Sequence, residues 1–161
     1  MSSVTNVVFV GIGGQGVITA SDILAAAAFE DGFDVKKSEI HGMAQRGGAV
    51  TSDVRYGATV FSPMIPTGEA DYVIVLDVTQ VDYASRFKKP KGLMLTPLAL
   101  GDDLFKGQRG TNIALLGVLA PHLTLSMRAW EGALLSHLKP ELHAENLQLF
   151  RTVAERTRIL S

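Results

Sequence analysis

Cysteine is absent from all 161 residues. Without thiols the chain can form no disulfide, bind no zinc through sulfur and hold no iron–sulfur cluster on its own side chains. If the chain belongs to a redox system, the redox centre is expected elsewhere. An excess of charge of one sign is lacking too: 15 Lys and Arg stand against 16 Asp and Glu. That balance leaves no electrostatic footprint for nucleic acid or an anionic membrane. No apolar run reaches the roughly 20 residues of a membrane span, and the first residues carry neither a basic n-region nor a signal-type cleavage site. The expectation is a soluble, cytoplasmic protein. The four histidines, His41, His122, His137 and His143, are scattered without metal-ligand spacing, so no metal site is expected. Charged residues are also scarce, 19% against 47% hydrophobic. That low share predicts a surface covered by a partner, and by a second copy in a homodimer when the chain is alone.

What is present reads as one α/β domain over residues 1–161. NVVFV, Asn6 to Val10, is a short apolar run that ends directly in Gly11, as a buried parallel strand should. VITASDILAAAAFEDG follows, alanine-rich and helix-favouring, with Gly32 as its stop. Phe33 to Lys37 is the next expected strand, which completes a βαβ unit. Ala49 to Arg55 alternates with period two and pairs in this reading with Thr59 to Ser62 as a hairpin. Further expected elements are a buried strand at DYVIVL (Asp71 to Leu76), a helix over Val78 to Phe87 and a strand over Gly92 to Thr96. A buried helix follows at Asn112 to Leu119, then a helix capped by Ser126 and a last one opened by Pro140. The fold class is a Rossmann-like, mostly parallel sheet with an antiparallel hairpin addition.

Two glycine-rich segments carry the chemistry. Gly11-Ile12-Gly13-Gly14-Gln15-Gly16 fits G-x-G-x-x-G between a strand and a helix. Such glycines let backbone amides approach a phosphate at a helix N-terminus, or merely permit tight strand–helix packing. A dinucleotide reader also needs an acid near the end of the second strand. Glu39 has the spacing, yet it follows Lys36, Lys37 and Ser38 and opens a long polar loop, an unusual setting for a ribose clamp. An NAD-binding regulatory module is therefore the second reading. The other segment, KKSEIHGMAQRGGAVTS from Lys36 to Ser52, gathers His41, Gly42, Gln45, Arg46 and Gly47. A forked guanidinium beside glycine amides can hold a phosphate or carboxylate. His41 could move a proton, but no carboxylate near it in sequence marks it as a general base. Asn112 is a helix cap first and a ligand contact second. No catalytic residue is identified.

GIGGQGVITASDIL, KKSEIHGMAQRGGAV, SDVRYG, SPMIPTGEADYVIVLD and GTNIALLG together resemble the γ-type domain of 2-oxoacid:ferredoxin oxidoreductases, nearest the small β subunit of the indolepyruvate enzymes. The resemblance runs from about Val7 to Gly117. It implies a heteromeric complex that oxidises a 2-oxoacid, here indolepyruvate or another arylpyruvate. Thiamine diphosphate, magnesium and iron–sulfur clusters would lie in a large partner subunit, with ferredoxin as electron acceptor and coenzyme A as co-substrate. By position Gly13, Gly14, Gln15 and Gly16 match the family's first loop, and His41, Gly42, Gln45, Arg46 and Gly47 match its second. The chain would help form the coenzyme A and substrate end of the site, carry no cofactor itself and be inactive alone. It departs from the pattern in being shorter than the indolepyruvate subunit and in having Asp77 where Glu is expected.

Overall fold

The computed structural model describes residues 3–41, 48–101 and 109–160, with His41 described by its backbone alone. Its centre is a five-stranded sheet of β1 (Thr5–Ile12), β2 (Asp34–His41), β3 (Ala49–Gly57), β4 (Ala70–Val75) and β5 (Lys88–Leu95), in the order β2-β3-β1-β4-β5. β1 pairs parallel with β4, and β4 parallel with β5, whereas β3 is antiparallel to both β1 and β2. Four strands thus share one direction and β3 opposes them. The helices are α1 (Val17–Glu30), the single turn α2 (Val81–Ala84), α3 (Thr111–Leu119), α4 (Met127–His137) and α5 (His143–Leu160). None of the described helices is long and apolar enough to cross a membrane.

Alternation along β1 builds two cores, which is why its run is apolar at every position. Val7 and Phe9 face α1, α3, α4 and α5 in a cluster with Ile23, Leu115, Trp130 and Phe150. Val8 and Val10 face the other way, onto Val73, Val75 and Ala84, with Ile65, Val81, Tyr83 and Phe87 packed alongside. Trp130 and Phe150 lie 5.4 Å apart in a tilted pair that joins α4 to α5. The β5 edge carries Lys88, Lys89, Pro90 and Lys91, residue types that discourage another strand from pairing there. Ser126 caps α4 as expected, its hydroxyl accepting from the Ala129 amide at 3.1 Å.

Three expectations need correction. The antiparallel hairpin is made by β2 and β3, not by residues 49–55 with 59–62, and β3 inserts between β1 and β2. Residues 59–62 form no strand; hydrogen bonds from side chains of β2 and β3 hold this stretch instead. Asp34 accepts from the Val60 amide at 2.8 Å, Asp53 from the Ile65 amide at 3.0 Å, and Arg55 donates to the Ser62 and Met64 carbonyls at 2.9 and 3.2 Å. Phe61 is left 93% exposed. β2 also runs on to His41, so Glu39 lies within a strand opposite Ser52 and opens no loop. Finally, Val78 to Phe87 is one α-turn between two 3-10 turns; Val78, Thr79 and Val81 are β-branched, which weakens a continuous helix.

Candidate functional site

β1 leaves the sheet at Ile12 into a turn that is closed twice. The Gln15 amide donates to the Ile12 carbonyl at 3.2 Å, and the Ile12 amide donates back to Gln15 Oε1 at 2.8 Å. The other end of the same side chain, Nε2, donates to Asp77 Oδ2 at 2.7 Å, just past the end of β4. Asp77 Oδ1 accepts from the Thr79 amide at 2.9 Å and the Thr79 hydroxyl at 2.5 Å. The Thr79 hydroxyl first, then its amide and Gln15, hold the Asp77 carboxyl below the usual carboxylate range.

The turn hands over to α1 through Gly16, in the left-handed conformation at φ 82. α3 begins the same way, on Gly110 at φ 86, and neither helix has a side-chain cap at that residue. The two N-termini meet: Asn112 Nδ2 donates to the Gly16 carbonyl at 3.4 Å, while Asn112 Oδ1 accepts from the Ile113 amide at 2.9 Å. Asn112 is therefore not the expected helix cap, a place taken by Gly110 because the left-handed turn opens the helix two residues earlier, but the bridge between the helices. Between them lies a cleft of about 350 Å³ lined by Gly14, Gln15, Gly16, Leu76, Arg109 and Asn112, among others. First-turn amides have no acceptor within their own helix, and the helix dipole makes each N-terminus electropositive. Two such ends beside the Arg109 guanidinium suit a phosphate or carboxylate. Gly13 sits exposed at the tip of the turn.

The second glycine segment is anchored at the same end of the sheet. Ala49 stands opposite Ile12, and Val50 lies in register between Gly11 and His41. His41 ends β2 by its backbone. Gly42, Gln45, Arg46 and Gly47 lie outside the described residues. Glu39 is engaged in a surface pair: Lys37 donates to it at 2.7 Å and also pairs with Asp22 of α1. A ribose clamp belongs on the strand next to β1, and that place is taken by β3. Glu39 is two strands off, roughly 10 Å away.

A larger cleft, about 640 Å³, opens at the opposite end of the sheet, where it is lined by Asn6, Asp71, Tyr72, Lys89 and His122. Its charged groups serve each other, since Asp71 accepts from the Asn6 amide and pairs with Lys89. Among the described residues no group of three or more His, Cys, Asp or Glu could hold a metal ion. Gly14, Gln15, Gly16 and Asn112, all candidates from the sequence, line the one cleft between α1 and α3, with Gly13 beside it in the turn. Arg109 and Thr79 belong to no motif, and Asp77 is the position where Glu is expected. The signal for Arg109 was the parallel between Gln15-Gly16-Val17 and Arg109-Gly110-Thr111, each a polar residue and a glycine opening a helix.

The sequence model of the family described as pyruvate ferredoxin/flavodoxin oxidoreductase matches residues 6–99. Among curated relatives, indolepyruvate oxidoreductase subunit IorB of Thermococcus kodakarensis is 38% identical over 91 residues, 56% of this chain and 45% of the relative. Pyruvate synthase subunit PorC of Methanocaldococcus jannaschii is 34% identical over 113 residues, 68% of this chain and 62% of the relative. The matched regions thus span about half the length of these relatives. Among solved structures, the gamma subunit of a keto/oxoacid ferredoxin oxidoreductase from Geobacter sulfurreducens superposes with a TM-score of 0.77 at 26% identity, over 96% of this chain and 97% of that one.

Proposed function

This chain belongs to the pyruvate ferredoxin/flavodoxin oxidoreductase family, and from that premise we propose that it is the small, cofactor-free subunit of a thiamine diphosphate-dependent 2-oxoacid:ferredoxin oxidoreductase complex. The γ-type domain extends over the whole chain, 1–161, a reading supported by the near-complete superposition on a gamma subunit of that class. Thiamine diphosphate, magnesium and the iron–sulfur clusters belong to a large partner subunit, and electrons leave to ferredoxin through the complex. The complex is cytoplasmic. Its substrate is indolepyruvate or another arylpyruvate, a choice supported by the likeness to an IorB subunit.

The observation that carries the reading is the meeting of two helix N-termini, each opened by a left-handed glycine, at one cleft beside Arg109. This chain's part is to bind and orient an anionic group of the co-substrate or substrate there, a coenzyme A phosphate or the oxoacid carboxylate. Gly13, Gly14, Gln15, Gly16 and Asn112 form one side. His41, Gly42, Gln45, Arg46 and Gly47 are the further candidates; of their segment the described ends, His41 and Ala49, stand at the same end of the sheet. Exposed apolar side chains, Phe61 at 93% and Leu98 at 84%, support contact with the large subunit, and a homodimer when the chain is alone. The NAD-binding alternative loses support because β3 separates β2 from β1.

Reconstituting the complex from this chain and its large partner tests the reading. Arg46→Ala and Arg109→Ala should each leave assembly intact and raise KM for coenzyme A or the oxoacid roughly ten- to more than a hundredfold. A panel of 2-oxoacids identifies the substrate. Unchanged kinetics in an intact complex, or failed assembly with both variants, would overturn the binding role.

A further inference from the structure

We propose that Asp77 is a positioning residue which, acting only through Gln15, fixes the glycine turn that lines the anion-binding cleft; this rests on the binding role assigned to that cleft above. A carboxylate only accepts, and Asp77 spends both oxygens: Oδ1 on the two donors of Thr79 and Oδ2 on Gln15 Nε2. The Gln15 amide consequently has one orientation. Its nitrogen must face Asp77, so its oxygen must face the Ile12 amide, where it lies at 2.8 Å. The polarity of a residue past the end of β4 thereby sets how the backbone leaves β1, and with it the placement of Gly13 and Gly14 before α1.

That dependence on polarity separates positioning from packing. Asp77→Asn keeps the shape but offers one acceptor and one donor group. If its oxygen serves Thr79, its amide nitrogen meets the Gln15 amide nitrogen. If Gln15 turns over to suit, its own nitrogen meets the Ile12 N–H. If the asparagine oxygen stays on Gln15 instead, its nitrogen meets the Thr79 N–H, so one donor faces another in every case. Adding Gln15→Glu restores every pair. The introduced asparagine then donates to one oxygen of the introduced glutamate, whose other oxygen accepts from Ile12, and the asparagine oxygen serves Thr79. The net charge equals that of the wild type with Asp77 ionised.

The test uses the full chain and two readouts. Amide hydrogen exchange at Ile12, Gly13 and Gly14, measured by NMR without ligand, reports the turn. Titration with inorganic pyrophosphate, followed calorimetrically, reports the cleft. In Asp77→Asn the Ile12 amide should exchange roughly tenfold faster, the effect of one lost hydrogen bond, and pyrophosphate should bind more weakly. Gln15→Ala, the second single variant, should do the same. The double variant Gln15→Glu/Asp77→Asn should return Ile12 exchange to the wild-type rate. Its pyrophosphate affinity should stay low, because the introduced glutamate brings the negative charge nearer the cleft. Unchanged exchange in both single variants, or no recovery in the double variant, overturns the proposal. Equal pyrophosphate binding by wild type and Asp77→Asn overturns it as well. A wild-type chain that binds no pyrophosphate overturns the cleft reading instead, which the exchange data distinguish.

Discussion

A Cβ built on Gly16 would sit 2.4 Å from Asn112 Nδ2, the nitrogen that donates to the Gly16 carbonyl. One atom of side chain on α1's cap therefore collides with the bridge to α3. Gly16→Ala should lose about 1–2 kcal/mol for its left-handed backbone, and more for displacing Asn112. Gly14→Ala has a similar φ of 87 but meets nothing within 4 Å, so it should lose only the conformational part. Urea unfolding of the two variants checks this; equal losses would refute the bridge.

A second glycine tests packing inside a helix. Alanine in place of Gly117 in α3 should gain up to about 1 kcal/mol of helix propensity. Its Cβ would, however, lie 2.9 Å from Val153 Cβ and 3.0 Å from the Phe150 carbonyl of α5. Overpacking of this kind typically costs about 1–3 kcal/mol, and here two backbones are wedged apart. Gly117→Ala should therefore lower the thermal midpoint; a raised midpoint would contradict the α3–α5 contact.

Two carboxylates should respond to acid with opposite signs. Asp34 is held below the ordinary value, first by the Val60 amide and then by Lys36. Its contribution is present above the unfolded pKa and is lost as pH falls through the folded one. Asp53 is pushed above the ordinary value by burial, against the Ile65 amide and Arg55. Its ionisation weighs against the fold, so its relative contribution is lost as pH rises through the folded value. Unfolding titrations between about pH 3 and 6 should show Asp34→Asn flattening the loss of stability on acidification and Asp53→Asn steepening it. Parallel curves for wild type and both variants would refute these assignments.

Arg55 organises the stretch after β3 by donating to Asn6 Oδ1 at 2.9 Å and to two carbonyls of that stretch. Arg55→Ala should make the chain near Phe61 roughly tenfold more sensitive to limited proteolysis, reflecting local opening more than global unfolding. Arg55→Lys should recover little of the protection, because a point ammonium cannot span three acceptors as the planar fork does. Full recovery with Lys would reduce the role of Arg55 to charge.

Elements buried on both faces were legible in the sequence. Val7 to Val10, Tyr72 to Leu76 and Ile113 to Leu119 are apolar at every position because each lies between packed layers. Strand pairing was not legible, since the insertion of β3 depends on partners far apart in the chain: Val10 opposite Thr51, Lys37 opposite Val54. Thr59 to Ser62 looked like a strand because Val60 and Phe61 are apolar, yet only Val60 is buried. The first glycine loop could be read from local spacing. The bond from Asn112 to Gly16 could not, because it spans residues far apart in the sequence. Asp77 became informative only when Gln15 was seen to point at it.

The insertion of β3 also sets a scale. Gly11, Val50 and His41 form one row across three strands, so the second glycine segment leaves β2 two strand spacings, roughly 10 Å, from Gly11 and reaches β3 one spacing, roughly 5 Å, from it. The end of β3 is thus shared by both glycine segments: it borders the first, across from Ile12, and closes the second, across from His41.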